Sequence, residues 1–585
     1  MSEYHNPQQQ DPGAQKNLIL VFILTFIVII FAQQFFFKKP PGAPAGEKPV
    51  QQQGATPAQP EAPPPAKQPA APSTTAPAVA RKQAENEASV VVESDLYKIT
   101  FTNRGAEVKS WILKNYKDEK GQPLELVDQV AAAKYGYPLS FFAWDDALRD
   151  KLNSALYVSD SNPTLTAPAT LTFEYSDGDL VVRKSFKFEP KTYTIGVETS
   201  VVRNGAYVTA LPAWPAAFGD ITTASGYGAQ RIDYDNGSKI QRLAPKKVSG
   251  GAVYNGTMPW GGVLDQYFAA MFLPSDPNRA TLVQLHYPLE VPKNPAKPDP
   301  KETYKVSVLG AASGNIGGPS NLRIFVGPKA LNVLESVHPA GSQTDLRGVV
   351  DFGMFSFIAR PLFLWLHWTH DHWVQNWGWA ILILTVIINA ALLPLRVMSM
   401  RSALKMQKIA PQIQSINDKY KKYSLRDPRR QEAQKEISAL YKEHNVNPAG
   451  GCLPLIIQMP FLFAFWAMLS AAIELRGASW LWLKDLSQPD HLYIIPIVII
   501  LSTMWMQKMT PQAGMNPEQA RMMNLMMPLM LGFMSWSVAS GLGVYWLTGT
   551  IVGIIQQWAM NRTHLGQEIR ALQEKRARKQ EAKKR

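Results

Sequence analysis

NVNPAGGCLPLIIQMPFLFAFWAMLSAAIE, residues Asn445–Glu474, sets the kind of protein this chain is. It includes a turn, Asn447-Pro-Ala-Gly-Gly451, made of residues that interrupt helices. An apolar run of roughly membrane-spanning length follows, broken by Pro454 and Pro460 and by one amide, Gln458. Lipid offers that amide no hydrogen-bond partner, so it has to face protein or water. Two readings stand: a helix-packing amide, or one wall of a wet hollow within the membrane. The second gains if neighbouring spans carry polar residues at similar depth. They do.

Residues 377–396 form another apolar segment, with Thr385 and Asn389 near its middle and then Pro394 and Arg396. Thr385, Asn389 and Arg396 fall broadly on one helical face. Further apolar segments are 493–507, 522–538 and 542–561, after the span 450–474. The first two of these are short for a hydrocarbon layer about 30 Å thick, which implies local thinning or incomplete entry. Polar groups recur in them: Thr503 and Gln507, Asn524 and Ser535, Thr548 and Gln556. Singly these are ordinary helix glue. Together they point to a hydrated vestibule. Methionines crowd the same region, among them Met506, Met522, Met526, Met530 and Met534. Flexible thioethers suit a surface that accepts varied apolar partners, or gap-filling in a loose bundle; both readings stay open.

Upstream, residues 1–16 are polar and 17–37 are apolar over a length that spans a bilayer. A cleaved signal peptide is the competing reading, with Ala43-Pro44-Ala45 as a loose cleavage match, but the apolar run is long for that role. Residues 38–88 are a Pro/Ala/Gln-rich tether that cannot bury a core. From 89 to 341 the period becomes two. Val90–Val92, Tyr97–Thr102, Val108–Leu113, Leu171–Tyr175, Leu180–Phe188 and Tyr193–Val202 read as strands, with Asp177-Gly178 as a hairpin turn. Short strands with frequent Gly/Pro turns predict a large antiparallel sandwich. It holds no convincing catalytic site: Asp145-Asp146 reads as a loop carboxylate pair, and the stretch from Gly314 to Pro319 as turn chemistry. Residues 352–373 are amphipathic and rich in Trp and His, as suits a helix lying in the interface before a span. His367, His370, Asp371 and His372 resemble metal-ligand spacing, yet no second cluster completes a site, so no metal or other cofactor is expected.

The formal net charge is +14, and much of the excess lies in two blocks beside apolar segments. That placement favours an anionic lipid surface, with ribosomal RNA second and no specific DNA. One block is the loop 397–449; the other is the tail 562–585, which ends QEKRARKQEAKKR. Counting spans makes both blocks and both termini cytoplasmic and the β-domain extracytoplasmic. Within the loop, Leu404, Ile409, Ile413 and Ile416 recur at helical spacing, and Asp427-Pro428 restarts a helix as N-cap and first residue. The expectation is a basic helical hairpin. The single cysteine, Cys452, excludes an intramolecular disulfide and a cysteine-cluster metal site.

Several motifs are specific enough to name a resemblance. They are Asn447-Pro-Ala-Gly-Gly-Cys-Leu-Pro454 running into Ile457-Gln-Met-Pro-Phe461, Asn376-Trp377-Gly378, Pro394-Leu395, Ile473-Glu-Leu-Arg476, Gln507-Lys-Met509, and Ser540-Gly-Leu542 with Tyr545. On these the region Phe352–Arg562 resembles the YidC/Oxa/Alb family of membrane protein insertases. The leading span and large β-domain are similar to its Gram-negative bacterial form, found in the inner membrane, with a periplasmic β-supersandwich and five core spans. The resemblance implies an insertase without catalytic chemistry. A cytoplasm-open groove, here Thr385, Asn389, Arg396, Gln458, Gln507, Tyr545 and Trp546, would receive the polar end of a nascent membrane protein. A hydrophobic slide, here Phe461, Phe465, Met526 and Met530, would release its apolar segment. Implied partners are nascent membrane proteins, the Sec translocon, the ribosome through the basic tail, and anionic lipids.

The family's groove arginine falls on Asn389, a neutral residue in this chain. Arg396, two turns further on the same face, would bring positive charge nearer the cytoplasmic mouth. Two rival readings compete. A small-solute transporter or channel predicts internal repeats or paired buried charges, and neither is evident. A carbohydrate-binding or epimerase-like β-domain predicts convergent His and carboxylates, which are not seen.

Overall fold

The computed structural model describes residues 80–564 apart from 119, 222–223, 294–298, 300, 421–422, 424–426, 447–452 and 511–516, with scattered positions beyond 564. The apolar run 17–37, the tether up to 79, the turn Asn447–Cys452 and most of the basic tail lie outside the described residues. Two compact units divide in sequence between Val349 and Val350.

The β unit holds three sheets. The largest has nine strands, running in order Ile240–Leu243, Arg231–Asp235, Gly261–Leu264, Phe268–Pro274, Ser320–Pro328, Thr194–Arg203, Leu180–Phe188 and Ala169–Ser176, with Ala206–Tyr207 paired to Thr194–Arg203. Alternation decides the strand Leu180–Phe188: its even-numbered side buries Val182, Phe186 and Phe188 while Arg183 and Lys187 point outward. The hairpin at Asp177-Gly178 pairs Ser176 with Val181, and the Asp177 carboxylate accepts from the Leu180 N–H. One five-stranded sheet is built on the long hairpin Ala280–Pro292/Thr303–Asn315. The other contains one departure from an antiparallel sandwich: Ser89–Glu93 pairs parallel with Thr164–Thr166.

Contacts of the β unit also reach residues outside 89–341: Lys82 pairs with Ser176 in a β-bridge, and the Arg242 guanidinium donates to the Gly348 carbonyl. Asp145 is no idle loop carboxylate. It caps the helix Asp146–Ser154 by accepting from the N–H groups of Ala147 and Leu148.

The second unit is helical: α1 (Ser356–His372), α2 (Trp377–Ala391), α3 (Leu393–Tyr420), α4 (Pro428–Glu443), α5 (Leu453–Ala471), α6 (Ile494–Met509), α7 (Pro517–Ser535) and α8 (Ser540–Arg562). Asn376 caps α2 through the Gly378 and Trp379 N–H groups, and Asp427 caps α4 with Pro428 in the first position. α6 packs on α7 and α8, α8 on α2, and α1 on α5. Gly378 admits Trp480: a Cβ there would lie 2.2 Å from the indole Cγ.

Among the described residues, no single helix is long and apolar enough to cross a membrane; α2 and α3, bent by 48°, qualify as a pair on length and composition. The sequence predicts one helix over 377–396. The chain instead breaks at Leu392, because Pro394 has no N–H to continue the ladder. Arg396 therefore sits in the first turn of α3, the helix that carries on as the first arm of the basic hairpin.

Candidate functional site

Tyr545, Gly549, Gly553 and Gln556 are spaced by four, four and three residues, which puts them on one face of α8. The polar residues singled out in the sequence meet this face in turn. The Gln458 amide of α5 lies near the Tyr545 hydroxyl, which is buried without a hydrogen-bond partner among the described residues, and the Phe465 ring stacks on Tyr545 with centroids 4.0 Å apart. Thr385 and Asn389 come over Gly549, whose added Cβ would sit 3.8 Å from Asn389 Nδ2 and 3.9 Å from Thr385 Cγ2. Arg396 comes over Gly553, where a Cβ would sit 3.0 Å from Nη1 and 3.1 Å from Met506 Sδ. The two glycines are a small-xxx-small pair that lets polar side chains reach the α8 backbone.

Asn389 is the hub of this seam. Its Nδ2 donates to the Thr385 carbonyl (2.9 Å), and its Oδ1 accepts from Arg396 Nη2 (3.2 Å). Its main-chain carbonyl accepts from Gln556 Nε2 (3.0 Å), and Thr385 Oγ1 donates to the Ile381 carbonyl (2.6 Å). Thr385 and Asn389 are buried, and Arg396 is half-buried. On α6, Thr503 Oγ1 and Gln507 Oε1 are buried without a hydrogen-bond partner among the described residues, as is Gln556 Oε1 on α8. Buried polar atoms of this sort are ordinarily satisfied by protein or water.

The remaining candidates lie elsewhere. Trp546 is half-buried, one position off the seam. Phe465 is fully buried, whereas Met526 is 48% exposed and forms part of an apolar flank of α7 with Leu525, Leu529 and Phe533. Phe461 and Met530 are half-buried. Gly549 and Gly553 were not singled out by the polar-residue reading, although their spacing is legible.

The histidines of α1 have packing roles. His367 Nδ1 lies 3.0 Å from the Phe363 carbonyl and Nε2 lies 3.1 Å from Glu474 Oε1. Burial pulls its pKa down, but the hydrogen bond and charge of Glu474 outweigh that and hold it above the ordinary histidine value. His370 stacks on Trp377 at 3.8 Å and meets Asp371; His372 Nδ1 lies 3.0 Å from the Trp368 carbonyl. Among the described residues no cluster of His, Cys, Asp or Glu is placed to hold a metal ion.

Comparison with known proteins adds identity to this geometry. Residues 89–365 match the family model described as the YidC periplasmic domain, and residues 368–568 match that of the 60Kd inner membrane protein. The membrane protein insertase YidC of Syntrophus aciditrophicus is 31% identical, over 82% of this chain and 86% of its own length. The chain belongs to the YidC family of membrane protein insertases. The YidC of Geotalea uraniireducens is likewise 31% identical, over 81% of this chain and 87% of its own. A solved structure described as an active YidC insertase with its first transmembrane domain resolved is 18% identical, covering 83% of this chain and 95% of that one, with a TM-score of 0.35. The β unit is thus the family's periplasmic domain, and the helical unit matches its inner-membrane part.

Proposed function

We propose that this chain inserts nascent membrane proteins by offering their polar ends a hydrated seam along α8 and their apolar segments the exposed flank of α7. The observation that carries the reading is the convergence of Gln458, Thr385, Asn389 and Arg396 on one face of α8. Polar residues cross hydrocarbon at a cost of a few kcal/mol each, and partners inside the bundle lower that cost. The buried amide and hydroxyl oxygens on α6 and α8 supply such partners. Met526, Leu529 and Phe533 offer a flexible apolar exit, and α6 is only 16 residues long, about 24 Å, which shortens the path.

In this reading the neutral Asn389 organises the seam, and Arg396 supplies positive charge at its cytoplasmic end. Both termini and the α3–α4 hairpin are cytoplasmic, where basic residues meet anionic lipid and the ribosome. The reading extends to cooperation with the Sec translocon. The names of the relatives favour insertion over solute transport.

The test is reconstitution of the purified chain in liposomes, scoring insertion of a short single-span protein with and without Sec components. Asn389→Leu is expected to depress insertion by about tenfold, the effect of ~1.4 kcal/mol. Unimpaired insertion by Asn389→Leu would remove the seam from the mechanism.

A further inference from the structure

We infer that Gln556 is a positioning residue: its side-chain amide holds the bend between α2 and α3 and so sets the direction in which the basic hairpin leaves the bundle. The consequence for insertion rests on the function proposed above; the bend does not.

A helix broken by proline frees main-chain carbonyls on the side before the break, and in an apolar surrounding these have to be satisfied by another helix. Pro394 leaves the Ala390 carbonyl without its usual donor, and the ladder across the break is carried by Leu392 N–H to Ile388 and Arg396 N–H to Leu392. In an unbroken helix the Asn389 carbonyl takes its bond from residue 393. Here it takes the Gln556 Nε2 proton at 3.0 Å, from a different helix. Asn389 Oδ1 then accepts from Arg396 across the break, so one residue is tied to α8 on one side and to α3 on the other. The neighbouring amide provides a contrast: Gln557 Nε2 bonds Asn561 within α8 itself, at 2.9 Å. Gln556 alone of the two reaches the broken ladder.

The bend is read directly by spin labels on Val386→Cys in α2 and Lys405→Cys in α3, both exposed positions, in the full chain carrying Cys452→Ser in phosphatidylethanolamine/phosphatidylglycerol liposomes. Lys405 lies about 18 Å beyond the break at 1.5 Å per residue, so a bend relaxed by roughly 20° moves it by about 6 Å. Gln556→Met keeps length and volume but loses the donor, and is expected to shift the label distance by about 1–2 Å, the part of that movement lying along the line between the labels, or to broaden it. Gln557→Met is expected to leave it in place. Gln556→Leu serves as a second loss of donor should the first variant fold poorly. Pro394→Ala restores a donor to Ala390 and continues the helix, so adding Gln556→Met to it should change nothing further. An unchanged distance in both Gln556 variants, or an equal shift in Gln557→Met, overturns the inference whatever insertion does. A shifted bend with full insertion leaves the inference standing and counts against the proposed function instead.

Discussion

Lys184 of the β unit and the α8 seam of the helical unit both bury polar groups, but they dispose of them differently. In the β unit Lys184 is fully buried, and its ammonium donates to three main-chain carbonyls, of Gly105 (2.8 Å), Leu139 (2.8 Å) and Ala106 (3.2 Å). The Phe141 ring lies 4.1 Å away. Burial lowers the lysine's pKa, and the Glu107 carboxylate works against that. Every proton of the ammonium has a fixed acceptor, so the charge acts as a clamp between sheet and loop. In the helical unit the polar groups follow one helix face, and oxygens of Thr503, Gln507 and Gln556 remain without a hydrogen-bond partner among the described residues. A saturated buried charge stabilises a fixed structure. A row of partly satisfied neutral groups keeps capacity for something that comes and goes.

The sharpest way to break this contrast is Lys184→Met. It strands three carbonyls and removes one of the two cations near Glu107, which keeps its ion pair with Lys109, at an expected cost of about 3–5 kcal/mol. Denaturant unfolding of the full chain, followed by hydrogen exchange of the strands from 169 to 188, measures it. A loss below about 1 kcal/mol would make the lysine no more structural than the seam. The opposite outcome is expected for Thr503→Val combined with Gln507→Leu: stability held or raised, insertion reduced by about tenfold, or ~1.4 kcal/mol. Lost folding rather than lost insertion would place these groups with Lys184.

A smaller effect comes from His367. Its pKa in the folded chain is raised, so the stabilisation it contributes is full below about pH 6.5, the unfolded value, and fades as pH rises through the higher folded value. Melting of the helical unit should be higher at acid pH than at pH 8.5, by roughly 2–4 °C for about 1 kcal/mol. His367→Gln should abolish the difference, and a pH dependence that survives it points to another group. The smallest change is Asp427→Ala. Losing that cap frays the first turn of α4, visible as faster amide exchange in 428–443 with insertion intact.

Much of the β unit is legible where one face is solvated. Leu180–Phe188 alternates strictly, and Asp177-Gly178 closes its hairpin as the turn rule predicts. Phe268–Pro274, FAAMFLP, is buried at every position and has no alternation to read, so periodicity misses it. The parallel pairing of Val91 with Thr164 is equally invisible, since strand direction depends on a connection and leaves no local pattern. In the helical unit the Asp427-Pro428 start is written in the chain, because a cap is a contact between near neighbours. The break at Leu392 was half-legible: Pro394 announces it, but the same residues also read as the end of a span. Phe465 illustrates the limit for the site. The sequence groups it with Met526 as an apolar surface, whereas the fold stacks it on Tyr545.

By itself the sequence determined the family, the division into a β unit and apolar helices, and which helices carry polar residues, because these follow from composition, period and short motifs. Only the tertiary structure decided that Thr385, Asn389, Arg396 and Gln458 face the same side of α8 and that Gln556 completes the broken ladder of α2. Those contacts join residues as far apart as 389 and 556. Their geometry is set by how closely helices approach at Gly549 and Gly553, a distance that no local pattern records.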